Sequence, residues 1–374
     1  MQIEQRVCTD ASAQISFDLE PQLIFVFGSR EILETGEITA QLARRFPNAI
    51  FSGCSTAGEI AGVSVRDNTV IVTGIGFEHT SVKSSRISLE DIQFSSVEAG
   101  RQLVSHLPKE GLKHVFVVSD GLKVNGTDLV KGVSNALDAS VTITGGLAGD
   151  GSHFEKTVIV EPDGTVATES VAAIGFYGDR LAIGFGSRGG WDSFGVDRLV
   201  TKSKENVLFE IDDQPALDLY KSFLGDKAKD LPASGLLFPL SMRDNEDRAP
   251  VVRTILGINE NEKSLTFAGD IPEGSFVRLM KANNDRLING AEEAAHAASQ
   301  GLENDPEFAL LVSCVGRKLV LKQMVEEEVE CVSEVLKQPV IAGFYSYGEI
   351  APFNQDAQCA LHNQTMTITT FREL

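Results

Sequence analysis

The sequence predicts an α/β protein in two parts, built from repeated strand–helix–strand–glycine-turn units whose mixed sheets are covered by helices. Two observations lead to this prediction. Strand-like and helix-like segments alternate along the chain, which is typical of helices packed on a sheet. In addition, the pattern Gly-x4-Gly-Glu-Ile-Ala begins at Gly53 and recurs at Gly343, which indicates an internal repeat.

The two copies of this pattern occupy the same place in a longer succession of elements. Apolar runs at 23–27 and 308–312 predict buried strands, and a helix-like stretch follows each of them. The closing strands at 69–73 and 365–369 alternate in character and contain many β-branched residues. Because such alternation indicates a strand with one less buried face, we expect sheets that are partly antiparallel.

A third and looser copy lies between these two. It consists of a strand at 114–118, a helix at 128–137, a strand at 141–144 and the turn Gly-Gly-Leu-Ala-Gly-Asp that begins at Gly145. Three copies of strand, helix, strand, glycine turn and acid therefore indicate one reused unit.

The domain boundary is expected where the regular pattern becomes polar, between residues 191 and 215. We divide the chain into an N-terminal segment, 1–22, and two domains, 23–211 and 212–374. A polar stretch at 243–248 is expected to be mobile.

Charge and composition exclude several classes of function. The chain has 53 acidic and 33 basic residues and a formal charge of −20, which disfavours nucleic acids and anionic membranes as partners. Five cysteines without a CxxC pair, and no leader-like N-terminus, favour a reducing cytoplasm. No apolar run approaches the ~20 residues that cross a bilayer, so membrane insertion is not expected.

The glycine turns are the first candidates for a ligand site. The backbone N–H groups around Gly53, Cys54 and Ser55 and around Gly145 and Gly146 could bind a ligand anion, or these glycines could simply permit tight turns. Three acids follow the glycine segments at one structural place and could hold a ligand ammonium group or cap local backbone donors: Glu59, Asp150 and Glu349.

Asp120 and Asn125 are two further candidates, because they follow the strand at 114–118. Ligands of α/β proteins usually lie at the carboxyl ends of strands, whereas ordinary turn and helix-cap chemistry is the alternative.

An enzyme would use different residues. A hydrolase could use Ser55 or Cys54, but the segment lacks one glycine of the nucleophile elbow and leads to no helix. No base or cation lies near either residue in sequence, so we expect no enzyme. A GxGxxG string at 184–189 also lacks the helix that a dinucleotide site needs. The acidic run of Glu326, Glu327, Glu328 and Glu330 is expected to face water, and a docking surface for a basic partner is the alternative.

Several segments together resemble the FIST family of sensory proteins. The N-terminal FIST domain is resembled by Gly-Cys-Ser-Thr-Ala-Gly-Glu-Ile from Gly53, by Ser-Asp-Gly-Leu from Ser119 with Asn125-Gly126, and by the turn from Gly145. Its C-terminal partner is resembled by segments at 215–220, 267–274, 343–350 and 362–365, and the last of these adds Asn363 to the candidate ligand residues.

The resemblance implies an intracellular, stand-alone sensor of a small ligand that passes its signal to a separate protein. We expect the ligand to be a polar metabolite such as an amino acid, held by the turn backbone with Glu59, Asp150 or Glu349 supplying charge. A histidine kinase or a cyclic-dinucleotide enzyme is the implied partner. Some family members bind haem and respond to nitric oxide, so haem is the alternative ligand.

Histidine side chains are the candidate axial ligands for haem. The six histidines form no zinc-binding spacing, and no metal site is predicted from them. One imidazole is enough for an axial haem ligand, and His153 and His362 lie beside the family motifs. They are the two candidate haem ligands.

Overall fold

Three six-stranded sheets and one nine-stranded sheet form the protein in a computed structural model that describes residues 1–244, 250–352 and 358–374. Helices account for 26% of the residues and strands for 39%, so the predicted α/β class with mixed sheets is confirmed. Of the stretch predicted to be mobile, residues 245–248 lie outside the described residues.

Each six-stranded sheet is built around one parallel pair of strands. In sheet order, sheet 1 contains Gln2–Cys8, Val70–Gly76, Leu23–Gly28, Ile50–Ser55, Ile159–Val160 and Val166–Ala167. Sheet 2 contains Cys359–His362, Gly348–Pro352, Thr142–Leu147, Leu112–Ser119, Ser170–Tyr177 and Ser81–Ser88. Sheet 3 contains Leu181–Arg188, Met366–Glu373, Phe308–Cys314, Val340–Ser346, Glu59–Ala61 and Ser64–Arg66.

The three sheets exchange strands in a ring. The strand Glu59–Ala61, which follows the parallel pair of sheet 1, pairs in sheet 3. Gly348–Pro352, which follows the pair of sheet 3, pairs in sheet 2. Ile159–Val160, which follows the pair of sheet 2, pairs in sheet 1. The sheets therefore form one interlocked unit, which we call the body.

Phenylalanines fill the space between the three sheets. Phe25 of sheet 1 lies 5.6 Å from Phe116 of sheet 2 and 6.0 Å from Phe308 of sheet 3, measured between ring centroids. All three side chains are fully buried. The centre of the body is thus an aromatic core that belongs to no single sheet.

Helices cover the outer faces of the body. The α-helices of the chain are Arg30–Leu33, Glu37–Arg45, Ser96–Ser105, Gly126–Ala136, Ala216–Leu224, Asn284–Ser299, Val315–Leu321 and Val325–Val335, with 3-10 turns at Glu90–Ile92, Gly225–Asp230, Ala233–Leu237 and Lys322–Met324. Ser95, Asn125 and Asn283 cap three of the helices by accepting hydrogen bonds from backbone N–H groups. Within the described residues, no helix has the length and apolarity needed to cross a membrane.

The nine-stranded sheet is formed by the part of the chain between the strand Leu181–Arg188 of sheet 3 and the helix Asn284–Ser299. Its main path runs Val251–Arg253, Leu240–Arg243, Phe276–Lys281, Arg198–Lys204, Val207–Ile211, Ser264–Phe267 and Ile255–Asn259, with Asp192–Ser193 and Gln214–Pro215 paired beside it. We call this sheet the inserted sheet, and we call the sheet together with the helical segments between its strands the inserted unit. The boundary at 211/212 falls inside it and stays a prediction about separable domains.

Candidate functional site

The segments that follow the three parallel pairs converge inside the body and bond to one another. The N–H of Ala57 donates to the carbonyl of Tyr345 at 2.8 Å, and the N–H of Tyr345 donates to the carbonyl of Gly58 at 2.8 Å. The N–H of Gly149 donates to the carbonyl of Ser55 at 2.9 Å. These backbone donors therefore already have protein acceptors, and an anionic ligand would have to displace them.

The candidate glycines lie within strands, not in turns. Gly53 belongs to Ile50–Ser55, and Gly145 and Gly146 belong to Thr142–Leu147. A Cβ atom on Gly53 or Gly145 would lie less than 3.0 Å from a backbone carbonyl oxygen of the neighbouring strand. The expected turns therefore begin after these glycines. The lack of a side chain at Gly53 and Gly145 permits the close approach of two strands.

Two of the candidate acids occupy matching buried positions. Glu59 accepts hydrogen bonds from the hydroxyl of Thr56 at 2.5 Å and from the N–H and hydroxyl of Thr69 at 3.1 and 2.8 Å. Glu349 accepts equivalent bonds from Ser346 at 2.6 Å and from Thr365 at 3.1 and 3.0 Å. Burial raises the pKa of Glu59. The hydrogen bonds to Thr69 and Thr365 show that both carboxyl groups hold local backbone in place.

Glu349 should make stability depend on pH. Burial raises its pKa to about 7 from 4.5, so the folded state binds more protons than the unfolded chain between these values. Stability should therefore fall as the pH rises through this window. We expect the free energy of unfolding, measured with urea, to fall between about pH 5 and about pH 8. The fall should be on the order of 3 kcal/mol larger in wild type than in Glu349→Gln. Equal losses in the two proteins would contradict this assignment.

The third acid, Asp150, anchors a loop. Its carboxylate accepts hydrogen bonds from the N–H groups of Phe154 at 2.9 Å and of Glu155 and Lys156 at 3.0 Å. It also accepts one from the hydroxyl of Tyr347. The guanidinium of Arg30 lies 3.3 Å away. Asp150 thus fixes the position of loop 152–156.

This loop forms one wall of a cavity of about 640 Å³ between the body and the inserted sheet. Ser152, His153, Phe154 and Leu319 line it from the body. The remaining lining residues come from the inserted unit: Lys227, Asp230, Leu231, Pro232, Ser234, Leu236, Leu237, Ile255 and Leu256. The volume is in the range of small-ligand pockets, and the wall is largely apolar with a few polar groups.

The two candidate histidines have very different surroundings. His153 is exposed and lines the cavity, and its Nδ1 lies 2.8 Å from the carbonyl oxygen of Asp150. His362 is buried, and its Nε2 lies 3.0 Å from the carbonyl oxygen of Ala351. Burial lowers the pKa of His362 to about 4, so its ring is neutral at pH 7.

The other polar candidates hold structure together away from the cavity. Asp120 accepts hydrogen bonds from the N–H groups of Leu122 and Lys123 at 2.8 and 2.7 Å. Asn125 caps the helix Gly126–Ala136 and donates to Asp270 of the inserted unit at 2.8 Å. Asn363 is fully buried, and its Nδ2 finds no acceptor among the described residues.

The two potential nucleophiles are inside the body. Cys54 is fully buried, and burial raises the pKa of its thiol, which keeps it protonated. The hydroxyl oxygen of Ser55 accepts a hydrogen bond from the N–H of Val158 at 2.9 Å. Neither residue lines the cavity.

Comparison with known families identifies the chain. Two family models match it, the FIST N domain over residues 22–214 and the FIST C domain over residues 216–352. The chain belongs to the FIST family. FIST domains are small-ligand sensory domains in signalling. The resemblance seen in the sequence is thereby confirmed.

Relatives of this FIST protein add little about its ligand. An uncharacterised protein of Methanocaldococcus jannaschii, MJ1623, is 23% identical over 353 residues, which cover 87% of this chain and 65% of that protein. Two structures of cyanuric acid hydrolase, one from A. caulinodans, share 8% identity and cover 99–100% of this chain and 99% of theirs, with TM-scores of 0.38 and 0.34. A likeness this distant carries no argument about activity.

Two features of this FIST protein were missed in the sequence. The apolar wall of the cavity comes from four separate segments without a local motif. Glu328, expected to face water within the acidic run, is fully buried and accepts hydrogen bonds from Arg317 at 3.1 and 2.7 Å. Within the described residues, no cluster of three or more His, Cys, Asp or Glu side chains could hold a metal ion.

Proposed function

We propose that this FIST protein senses a small ligand that binds in the cavity between the body and the inserted sheet. The observation that carries the proposal is the composition of this cavity. Its walls come from two structural units, so a bound ligand would contact both and favour the arrangement in which they lie together. Loop 152–156 supplies the contact on the side of the body.

The lining chemistry favours a metabolite with an apolar part and two opposite charges. Leu236, Ile255 and Leu256 offer an apolar surface, while Lys227 and Asp230 can pair with a carboxylate and an ammonium group. An amino acid with an apolar side chain has this combination. The ligand site is thus moved from the glycine segments of the original hypothesis to the cavity.

Signal output follows from the way Asp150 is held. Phe154 stacks on Tyr347 with ring centroids 4.3 Å apart, and Tyr347 donates to Asp150. A ligand that shifts loop 152–156 would therefore also shift the contacts of Phe154 and Asp150 with Tyr347, which follows the parallel pair of sheet 3. A separate signalling protein, such as a histidine kinase or a cyclic-dinucleotide enzyme, would respond to that change. Nucleic acid is not the proposed partner, because of the charge of −20.

A thermal-shift screen of amino acids and related metabolites tests the proposal. A ligand at a hundredfold excess over its Kd should stabilise wild type by about 2.7 kcal/mol, which raises the melting temperature by several degrees. Leu256→Trp and Leu319→Trp, which fill the cavity, should each abolish the shift. Val63→Trp, at an exposed position that does not line the cavity, should keep it.

Failure of the whole screen on wild type would contradict a metabolite sensor. A shift that survives both cavity-filling changes would show that the ligand binds elsewhere in the protein.

Haem is the second candidate, and the surroundings of His153 favour it. If Nδ1 of His153 donates to the carbonyl of Asp150, Nε2 carries the lone pair that a metal requires. The apolar wall and the volume of about 640 Å³ also fit a large flat molecule. Haem would supply an iron atom that binds nitric oxide. His362 fits less well, because its Nε2 is already engaged with Ala351.

Reconstitution with haem should separate these two histidines. If haem binds, the complex should show a Soret band that shifts with nitric oxide, and His153→Ala should lose it while His362→Ala keeps it. Loss of the band only in His362→Ala would reverse the assignment. Loose binding without a defined stoichiometry, insensitive to nitric oxide, would exclude haem sensing.

The protein is proposed to act without catalysis. The buried positions of Cys54 and Ser55 and the protonated thiol support this view, because a nucleophile must reach its substrate. Turnover of model esters or thioesters that disappears in Ser55→Ala or Cys54→Ala would instead establish a hydrolase.

A further inference from the structure

One buried side chain of the body reaches the wall that the inserted unit supplies to the cavity. Gln364 lies in the short turn between the last two strands of the chain and is fully buried. Its Nε2 donates to the carbonyl oxygen of Leu236 at 3.1 Å and to the hydroxyl oxygen of Thr254 at 3.0 Å. Leu236 lines the cavity, and so does Ile255, which follows Thr254. Gln364 therefore holds two separate segments of the inserted unit that form one wall.

The same amide group packs against the helix that supplies part of the opposite wall. A Cβ atom on Gly316 would lie less than 3.0 Å from both Nε2 and Oε1 of Gln364, so the amide lies directly over this glycine. Gly316 belongs to the helix Val315–Leu321, which also carries the cavity residue Leu319. Gln364 thus lies behind the cavity, between its two sides, and contacts both of them.

The backbone of Gln364 has a conformation that glutamine rarely adopts. Its φ is 65°, in the left-handed region that favours glycine. Its Oε1 is buried and finds no donor among the described residues. Its carbonyl oxygen accepts a hydrogen bond at 3.2 Å from the indole N–H of Trp191, where the chain enters the inserted unit. Because a left-handed backbone and an unpaired buried acceptor both cost free energy, the contacts with the inserted unit must impose this arrangement.

We propose that Gln364 is the positioning residue that holds the two walls of the cavity together, and that its bonds to Leu236 and Thr254 break when the inserted unit moves away from the body. This inference rests on the proposed function, because it states how the ligand site would open. Separation would expose the amide of Gln364 to water and release its backbone, which lowers the cost of opening. A ligand that contacts both walls would favour the bonded arrangement.

Hydrogen exchange of the full chain without ligand tests the proposal through two different substitutions. Gln364→Met keeps the length of the side chain but removes its donor, so segment 231–238 should exchange at least about tenfold faster than in wild type. Gly316→Ala should have the same effect, because its Cβ atom displaces the amide, even though alanine favours a helix more than glycine does. The strand Leu23–Gly28 in the body should stay as protected as in wild type.

Gln338→Met is the matched control. Gln338 also has a left-handed φ, of 61°, but its side chain is exposed and does not line the cavity. This variant should exchange like wild type in segment 231–238.

Two results would overturn the proposal. The first is exchange of segment 231–238 at the wild-type rate in either Gln364→Met or Gly316→Ala. The second is faster exchange that extends equally to Leu23–Gly28, because this would show a general loss of stability. No ligand enters the measurement, so a metabolite screen that fails would leave its outcome unchanged.

Discussion

Replacing Arg317 with methionine is expected to lower the free energy of unfolding by about 3–5 kcal/mol. Arg317 and Glu328 are both fully buried, and their side chains form an ion pair at 2.7 Å. Tyr345 and Ser313 also donate to Glu328, at 2.7 and 3.2 Å. Methionine has a similar length but leaves the carboxylate without its cation, and a buried unpaired charge is costly.

Arg317 also joins both ends of the inserted unit to the body. Its guanidinium donates to the carbonyl of Gly189, before the inserted sheet, at 2.5 Å and to the carbonyl of Leu287, after it, at 2.7 Å. These bonds are lost in Arg317→Met. Urea unfolding should therefore show an earlier transition, and the inserted unit should be the first part to gain hydrogen exchange.

Two further proteins test the physical reason for this loss. Arg101→Met removes an exposed arginine paired with Glu98 and should unfold close to wild type. Arg317→Met/Glu328→Leu removes the unpaired charge and should recover part of the lost stability. If the double variant were no more stable than Arg317→Met, the buried charge would not be the cause.

Replacing Gly53 with alanine is expected to abolish the folded protein. A Cβ atom on Gly53 would lie less than 3.0 Å from the carbonyl oxygen and the carbonyl carbon of Val26 in the paired strand. It would also lie close to the amide nitrogen of Val26. No rotamer can relieve this clash, because the Cβ position is fixed by the backbone. Soluble yield should fall to a small fraction of that of wild type, with any remaining protein melting well below it.

Other glycines provide the controls. Gly145 and Gly343 meet the carbonyls of Val117 and Leu311 in the same way, so alanine there should have the same effect. A Cβ on Gly257 would only touch Thr266, at 3.8 Å, so Gly257→Ala should be tolerated. A well-folded Gly53→Ala would show that the strands can separate and would reopen a purely functional role for this glycine.

Local sequence was enough to predict several individual helices and strands. The helix expected at 128–137 is Gly126–Ala136, because Asn125 caps it through contacts within three residues. The strands at 23–27 and 308–312 were predicted from their continuous apolar runs, which reflect burial on both faces. These properties depend on neighbours in the chain, so a single sequence contains them.

Features that depend on distant residues could not be predicted. Glu328 lies in a run of acids typical of an exposed surface. Its burial is explained by its contacts with Arg317 on the preceding helix and with Tyr345 and Ser313. The cavity combines loop 152–154 with residues 227–237, 255–256 and 319. His153 was a candidate because it adjoins a motif, whereas Leu256 and Leu319 carry no local signal of function.

A crystal structure of the protein with the strongest ligand of the metabolite screen tests the central claim most directly. We predict electron density for the ligand in the cavity of about 640 Å³, in contact with Phe154 on one side and Leu256 on the other. Density at Glu59 or Glu349 among the converging glycine segments, with this cavity left empty, would contradict the account.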